Sequence, residues 1–301
     1  MRSGLRPVPG STGALARPGA GLIRAAAALA LIAPLAACDT ISSFNPFDKS
    51  ETYKPEIVPE VPAEQLYNDG LGYLAKNDYE SASKRFASLD RQYPFSSWAK
   101  KALILQTFAN YSNRQYDDAI ANGKRFLALN PTSPDAAYAA YLVAMSYYNQ
   151  IPDVSRDQER SEKALVALQE VVQRWPKSEY AEDARFKLNV VRDQLAGREM
   201  TIGRYYLQRR NYTAAINRFR NVVSQYQTTN QIEEALSRLT EAYLALGVVQ
   251  EAETAAAVLG HNFPDSPWYR DTYKLMQSKG LEPRENEGSW ISKAFKSVGL
   301  G

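Results

Sequence analysis

The chain has 301 residues, 45% of them hydrophobic, which is ordinary for a soluble protein and enough to bury the core of one large domain or two smaller ones. A single cysteine excludes an internal disulfide framework and a multi-cysteine metal site, and a single histidine, His261, leaves any Ser/His/Asp triad dependent on that one residue. The formal net charge of +3 comes from the N-terminus: residues 1–37 hold four arginines and no acids, the remainder holds 32 basic against 33 acidic residues, and the footprint of a nucleic-acid binder is absent.

Residues 1–24 are rich in Gly, Pro, Ala and Arg, and residues 25–37, AAAALALIAPLAA, are apolar and uncharged. A basic stretch before a short apolar one reads as a secretory signal, because a membrane-spanning helix needs about 20 apolar residues. The basic stretch is long, which leaves room for a translation start downstream of Met1. Leu35-Ala36-Ala37-Cys38 resembles the lipobox of bacterial lipoproteins. In that family the cysteine thiol receives a diacylglycerol and the chain is cut before it, so lipidation of Cys38 is expected. The other reading of the same residues is an ordinary A-x-A cleavage site followed by a chance cysteine. Acyl chains contribute about 0.8 kcal/mol per buried methylene, so two or three of them anchor stably. Residues 38–62 carry Pro46, Pro55, Pro59 and Pro62 with no helical period, and read as an extended tether.

From residue 63 the pattern becomes repeating helical segments. NDYESASKRF, RQYDDAIANG, ERSEKALVAL, RNYTAAINRF and GVVQEAETAA align on Ala82, Ala119, Ala164, Ala215 and Ala252. Twelve residues after four of these alanines stands a proline: Pro94, Pro131, Pro176 and Pro264, with Gln227 in the fourth unit. Twelve residues before stands Gly70, Thr107, Gly203 or Thr240, and three further on Tyr73, Asn110, Tyr206 or Tyr243. The third unit is interrupted by NQIPDVSRDQERS. These offsets resemble the tetratricopeptide repeat, in which a small residue lets two helices approach, a tyrosine fills the space between them and a proline ends the second helix. The alanine spacings are 37, 45, 51 and 37, and the 51 predicts an added long helix at about Glu179 to Ala196, between the third and fourth units. The expected fold is an all-α tetratricopeptide superhelix of about five helical pairs, ten or eleven helices, closed by a helix from Trp268 to Lys279. Such a stack buries its apolar faces only between neighbours and presents a groove for peptides or domains. The expected organisation is a signal over 1–37, a lipidated tether over 38–62, a repeat domain over 63–279, and a polar linker with an amphipathic tail over 280–301.

Within that frame a few residues are candidates for partner binding. Tyr93, Phe95 and Trp98 form a dense aromatic group at the turn joining the first two units, placed either in the interface between repeats or in a pocket for an extended peptide. Tyr206 and Tyr212 fall on packing positions, whereas Tyr205, Arg209 and Arg210 do not, and the two arginines fit an acidic partner surface or plain solvation. In the tail, Trp290, Ile291, Ala294, Phe295 and Val298 share one helical face, and Lys293, Lys296 and Ser297 the other. The tail either docks on a partner, on the end of the stack or on a membrane surface, or has no fixed structure. No P-loop, G-x-G-x-x-G or H-E-x-x-H is present, and carboxylate pairs such as Glu233-Glu234 sit on faces that look exposed. His261, near a helix C-terminus, suits the macrodipole better than a metal. No enzyme activity, cofactor or metal is expected.

A lipobox followed by five degenerate repeats is similar to the BamD family of outer membrane protein assembly factors. RQYPFSSWAKKA, RFLALNPTSPDAAY, RWPKSEYAEDARFKL and DQLAGREMTIGRYYLQRRNYTAAINRF stand in that family's order, over about Ala63 to Lys279. The resemblance implies a lipid-anchored scaffold on the periplasmic face of the outer membrane, serving the folding and insertion of β-barrel proteins. Its implied partners are the periplasmic domains of a BamA-like barrel subunit, held by the C-terminal units, and other lipoprotein subunits or substrate segments, received by the N-terminal units. Two departures are visible: a shorter insertion in the third unit than in enterobacterial members, and a tail outside the repeat pattern. The alternative function is a periplasmic repeat adaptor for envelope synthesis or division. Asp39 stands against the outer-membrane reading, because in enterobacteria an aspartate directly after the lipidated cysteine retains a lipoprotein at the inner membrane.

Overall fold

The computed structural model describes residues 61–297 and residue 299. The signal, Cys38, Asp39, most of the tether and Val298 lie outside the described residues. Among the described residues there are twelve helices and no strand. Five antiparallel pairs follow one another: α1 (Ala63–Ala75) with α2 (Tyr79–Gln92), α3 (Ser97–Ser112) with α4 (Tyr116–Leu129), α5 (Ala136–Tyr148) with α6 (Glu159–Arg174), α7 (Ala181–Gln208) with α8 (Tyr212–Gln225), and α9 (Ile232–Ala245) with α10 (Val249–Asn262). Then come α11 (Pro267–Ser278) and α12 (Trp290–Lys296). Each helix from α1 to α10 packs on the next. First helices also touch across units, α1 on α3, α3 on α5, α5 on α7 and α9 on α11. Except between α7 and α9, the stack is therefore more closed on its first-helix side than on its second-helix side.

The repeat is written into the backbone. Within four pairs the first helix stops in the same way. The amides of Asp78, Gln115, Asn211 and Val248 bond the carbonyls of Tyr73, Asn110, Tyr206 and Tyr243, and those of Asn77, Arg114, Arg210 and Gly247 bond the carbonyls of Leu74, Tyr111, Leu207 and Leu244. The last four amide donors are left-handed, with φ of 56°, 60°, 59° and 74°. This is the helix stop that glycine and asparagine make easily, and arginine fills it twice. Between pairs, all five second helices end alike. Tyr93, Asn130, Trp175, Tyr226 and Phe263 close the last turn, and Ser96, Ser133, Ser178, Thr229 and Ser266 each donate an amide back to them. Gln227 substitutes for the missing proline by donating its side chain to the Ser224 carbonyl, which satisfies a helix-end acceptor.

The close approach within each pair obeys a volume rule. A Cβ on Gly70 would lie 2.4 Å from Phe86 Cε1, and a Cβ on Gly203 would lie 2.4 Å from Phe219 Cε1. Where the first helix carries Thr107 instead, the facing residue is Gly123, whose added Cβ would come within 3.3 Å of Thr107 Cγ2. Thr240 stands in the same register to Ala256, and Ala144 to Leu168 once the eight extra residues of the third unit are counted; all four are buried. Phenylalanine faces glycine, threonine faces glycine or alanine, and leucine faces alanine, so the larger residue on one helix is met by a small one on the other, and Val143 of the next helix also closes on Gly123.

Two expectations are revised. The added helix does not end at Ala196: α7 runs unbroken for 28 residues and serves as the first helix of the fourth unit as well. Packing on α6 and α8 carries the helix through Gly197, where helix propensity alone costs about 1 kcal/mol. The third-unit insertion is held by buried Gln158, which donates to the Asp153 and Arg156 carbonyls and accepts from Ser161, while Gln194 of α7 donates to the Pro152 carbonyl at 2.6 Å. Glu233 and Glu234 do not sit on an exposed face: Glu234 pairs with Arg204 at 2.8 Å and Arg238 at 3.5 Å, and Glu233 accepts from Ser266, the cap of α11.

Of the alternatives open for the tail, the structure shows docking on the stack. Ile291, Ser292 and Phe295 are buried against α8 and α10. Trp290 Nε1 donates to the Tyr243 hydroxyl at 3.3 Å, Ser289 Oγ to Glu251 at 2.7 Å, and the Arg284 amide to the Glu253 carbonyl. α12 thus wedges between two second helices, where the stack is open.

Candidate functional site

The first aromatic group is divided by its environment. Tyr93 closes α2, is half-buried, and donates its hydroxyl to the Val61 carbonyl at 3.1 Å. Trp98, in the first turn of α3, packs 4.8 Å from the Tyr67 ring. Both belong to the core of the first pair. Phe95 does not: it is 100% exposed. It lines an open groove of about 360 Å³ with Pro94, Lys100, Leu103 and Leu129, beside the Asp90–Arg125 ion pair. At its repeat position the other units carry Thr132, Lys177, Thr228 and Asp265. A fully exposed phenylalanine in a polar register has no packing role in the unit.

The second group sits at the turn between α7 and α8. Tyr205 is 49% exposed, packs edge-on against Tyr206 at 5.6 Å, and carries the Arg209 guanidinium over its face at 4.4 Å. Arg209 and Arg210 are exposed. Arg210 is the left-handed residue of the turn, a conformation that costs a side chain about 1–2 kcal/mol. The result is a cationic knuckle on a rigid helix end, with one guanidinium held flat and the next projecting from a strained backbone. Such a surface suits carboxylates.

A third cluster was not expected from the sequence. Tyr138 and Tyr141 of α5 lie 5.2 and 5.0 Å from the Tyr180 ring, just before α7. Tyr141 donates to Asp183 at 2.5 Å. Burial pushes the Tyr138 phenol up to about 12. Burial, and after it the Asp183 bond, pushes Tyr141 higher still. Both phenols therefore stay neutral at physiological pH. The i, i+3 spacing of Tyr138 and Tyr141 was the available signal; their partner on another helix was not readable. His261 is exposed in the last turn of α10. Among the described residues no group of His, Cys, Asp and Glu could hold a metal ion, and no helix is long and apolar enough to cross a membrane.

A stack of paired helices with exposed aromatic and cationic docking points is the architecture of a scaffold, and comparison with known proteins bears on which one. A family profile described as outer membrane lipoprotein (YfiO) matches residues 59–259. The chain is 47% identical over 231 residues to an outer membrane protein assembly factor BamD of Caulobacter vibrioides, covering 76% of each chain. It is 40% identical over 230 residues to the BamD of Rickettsia prowazekii, covering 76% of this chain and 91% of the relative. It is 34% identical over 223 residues to the BamD of Neisseria meningitidis, covering 71% and 84%. The fold, the five-unit register and these similarities agree: the chain belongs to the BamD family of outer membrane lipoproteins, non-catalytic factors in the assembly of outer-membrane proteins.

Proposed function

We propose that this chain is held in the outer membrane by lipid on Cys38 and works as a scaffold subunit of the β-barrel assembly machinery. Its C-terminal units grip the periplasmic domains of a BamA-like barrel subunit through Tyr205, Arg209 and Arg210. Its N-terminal units, around Phe95, receive an extended segment of a substrate or of another lipoprotein subunit. The observation that carries the first contact is Arg210. The turn would be better served by glycine, as at Gly247, or by asparagine, as at Asn77, and strain kept at an exposed position points to a role outside the fold.

Arg210→Gly separates the two roles. Its melting temperature is expected to match or exceed that of the unchanged chain, because the left-handed strain is relieved. Capture of the barrel subunit from solubilised envelopes is expected to fall about tenfold, the loss of one charge-assisted contact. Undiminished capture would remove Arg210 from the interface. Fractionation tests the anchor. Cys38→Ser is expected to release the chain from the membrane fraction, and Asp39→Ser to leave it in the outer membrane, since Asp39 is not read here as a retention signal. Relocation of Asp39→Ser would show the opposite.

A further inference from the structure

The seat that α12 occupies has a counterpart in the middle of the stack. α12 lies between the second helices α8 and α10, over α9. One opening of the same kind lies between α4 and α6, over α5, as a groove of about 300 Å³ lined mainly by apolar surface. Several positions of the two correspond. Arg220, five after Ala215, holds its guanidinium 4.9 Å over the Trp290 ring; five after Ala119 stands Lys124, which donates to the Tyr147 hydroxyl at 3.0 Å. Tyr147 is the register equivalent of Tyr243, the acceptor for Trp290. Ala167 stands where Ala255 lies in the seat of α12, and Val166 where Thr254 does. In the middle groove nothing among the described residues covers these positions, and Val166 is 66% exposed.

Three positions that line the groove differ in charge: Glu162 stands for Gln250, Glu170 for Val258, and Lys163 for Glu251. Glu251, which accepts from the α12 cap Ser289, is replaced in the same register by Lys163. Among the described residues Lys163 pairs with Glu159 on its own helix, an exposed i, i+4 pair that solvent screens, so it exchanges readily. We propose that the groove between α4 and α6 is a docking site for a short amphipathic helix of a partner protein. That helix presents two large apolar side chains one turn apart, as Ile291 and Phe295 do, and caps its N-terminus with a carboxylate facing Lys163. The site lies on the second-helix side of the stack and does not depend on where a barrel subunit binds.

The probe is a fluorescein-labelled peptide with the sequence of residues 286–297 in which the serine equivalent to Ser289 is aspartate, titrated into the full chain in detergent with its own tail in place. Saturable binding is expected. Val166→Asp, at an exposed position that the fold does not need, is expected to weaken it about tenfold by placing a charge against the apolar face. Lys163→Glu is expected to weaken the aspartate-capped peptide more than the serine-capped one. No saturation by about 1 mM, or equal binding to Val166→Asp, overturns the proposal. Binding lost in Thr254→Asp but kept in Val166→Asp also overturns it, because the peptide is then exchanging with α12. Indifference of both peptides to Lys163→Glu overturns the carboxylate cap.

Discussion

Gly203→Thr is expected to destabilise the fourth unit, and Phe219→Ala in the same chain is expected to cost clearly less than it does alone. The first change places a Cβ 2.4 Å from Phe219 Cε1 in a fully buried interface, and overpacking of this kind costs about 1–3 kcal/mol. Phe219→Ala alone empties the same space at about 3–5 kcal/mol. Independent effects would sum. The fifth unit carries Thr240 and Ala256 at these two positions, both buried, with the threonine hydroxyl bonded to the Leu236 carbonyl one turn back. Importing that pair should leave the double variant at least about 2 kcal/mol better than the sum of its parts. Thermal and urea melts followed by circular dichroism measure this; strict additivity would show that the volume rule is a coincidence of register. Neighbouring units share interfaces in a repeat stack, so the single variants should also loosen α9 and α6.

Ile291→Asp is expected to release the tail without unfolding the stack. Seven residues do not hold a helix by themselves in water, so α12 exists because of its seat. Ile291 and Phe295 are its buried anchors, each contributing about 1.5–3 kcal/mol by burial. A carboxylate at Ile291 cannot stay among Val223, Leu239 and Val258 without a partner. Amide exchange over residues 289–297 should rise to the rate of a free chain, while the amides of α8, α9 and α10 stay slow. The Trp290 indole, half-buried and under Arg220, should become solvent-exposed in its fluorescence. Protection that persists in residues 289–297 would mean that the polar contacts of Ser289 and Trp290 suffice to hold the tail.

Much of this fold is legible in the chain because its signals are local and recur. Alanine, small residue and proline each report one packing constraint, and five copies at fixed offsets average out local noise. The helix-ending serine or threonine at Ser96, Ser133, Ser178, Thr229 and Ser266 is more regular than the proline beside it, yet one common polar residue per unit does not stand out by type. The merging of the added helix with the fourth unit was not readable, because Gly197 signals a stop and only contacts on both flanks override it. The tail was not readable for another reason: its partners, Tyr243 and Glu251, lie 47 and 38 residues earlier, and the tail carries no copy of the repeat to set its register. Of the candidate site, chemistry and position on the chain were legible and exposure was not. Tyr93 and Trp98 face inward, Phe95 outward, and a count of aromatics treats them alike.

α7 takes part in two hydrophobic clusters. Its Leu188, Val191 and Leu195 belong to one with α5 and α6; its Ala196 and Met200 belong to another that continues through α8, α9, α10 and α12. The border between the two falls between adjacent residues of an uninterrupted helix about 42 Å long at 1.5 Å per residue. The two halves of the stack are thus joined by an axle and not by a hinge. Whatever grips the cationic knuckle at one end of α7 and whatever leans on the tyrosine cluster at the other are mounted on the same shaft. Bending is resisted by every hydrogen bond along it. The motion left to such a joint is torsion, and a twist imposed at Arg209 is carried to Asp183 with no loop between them to absorb it.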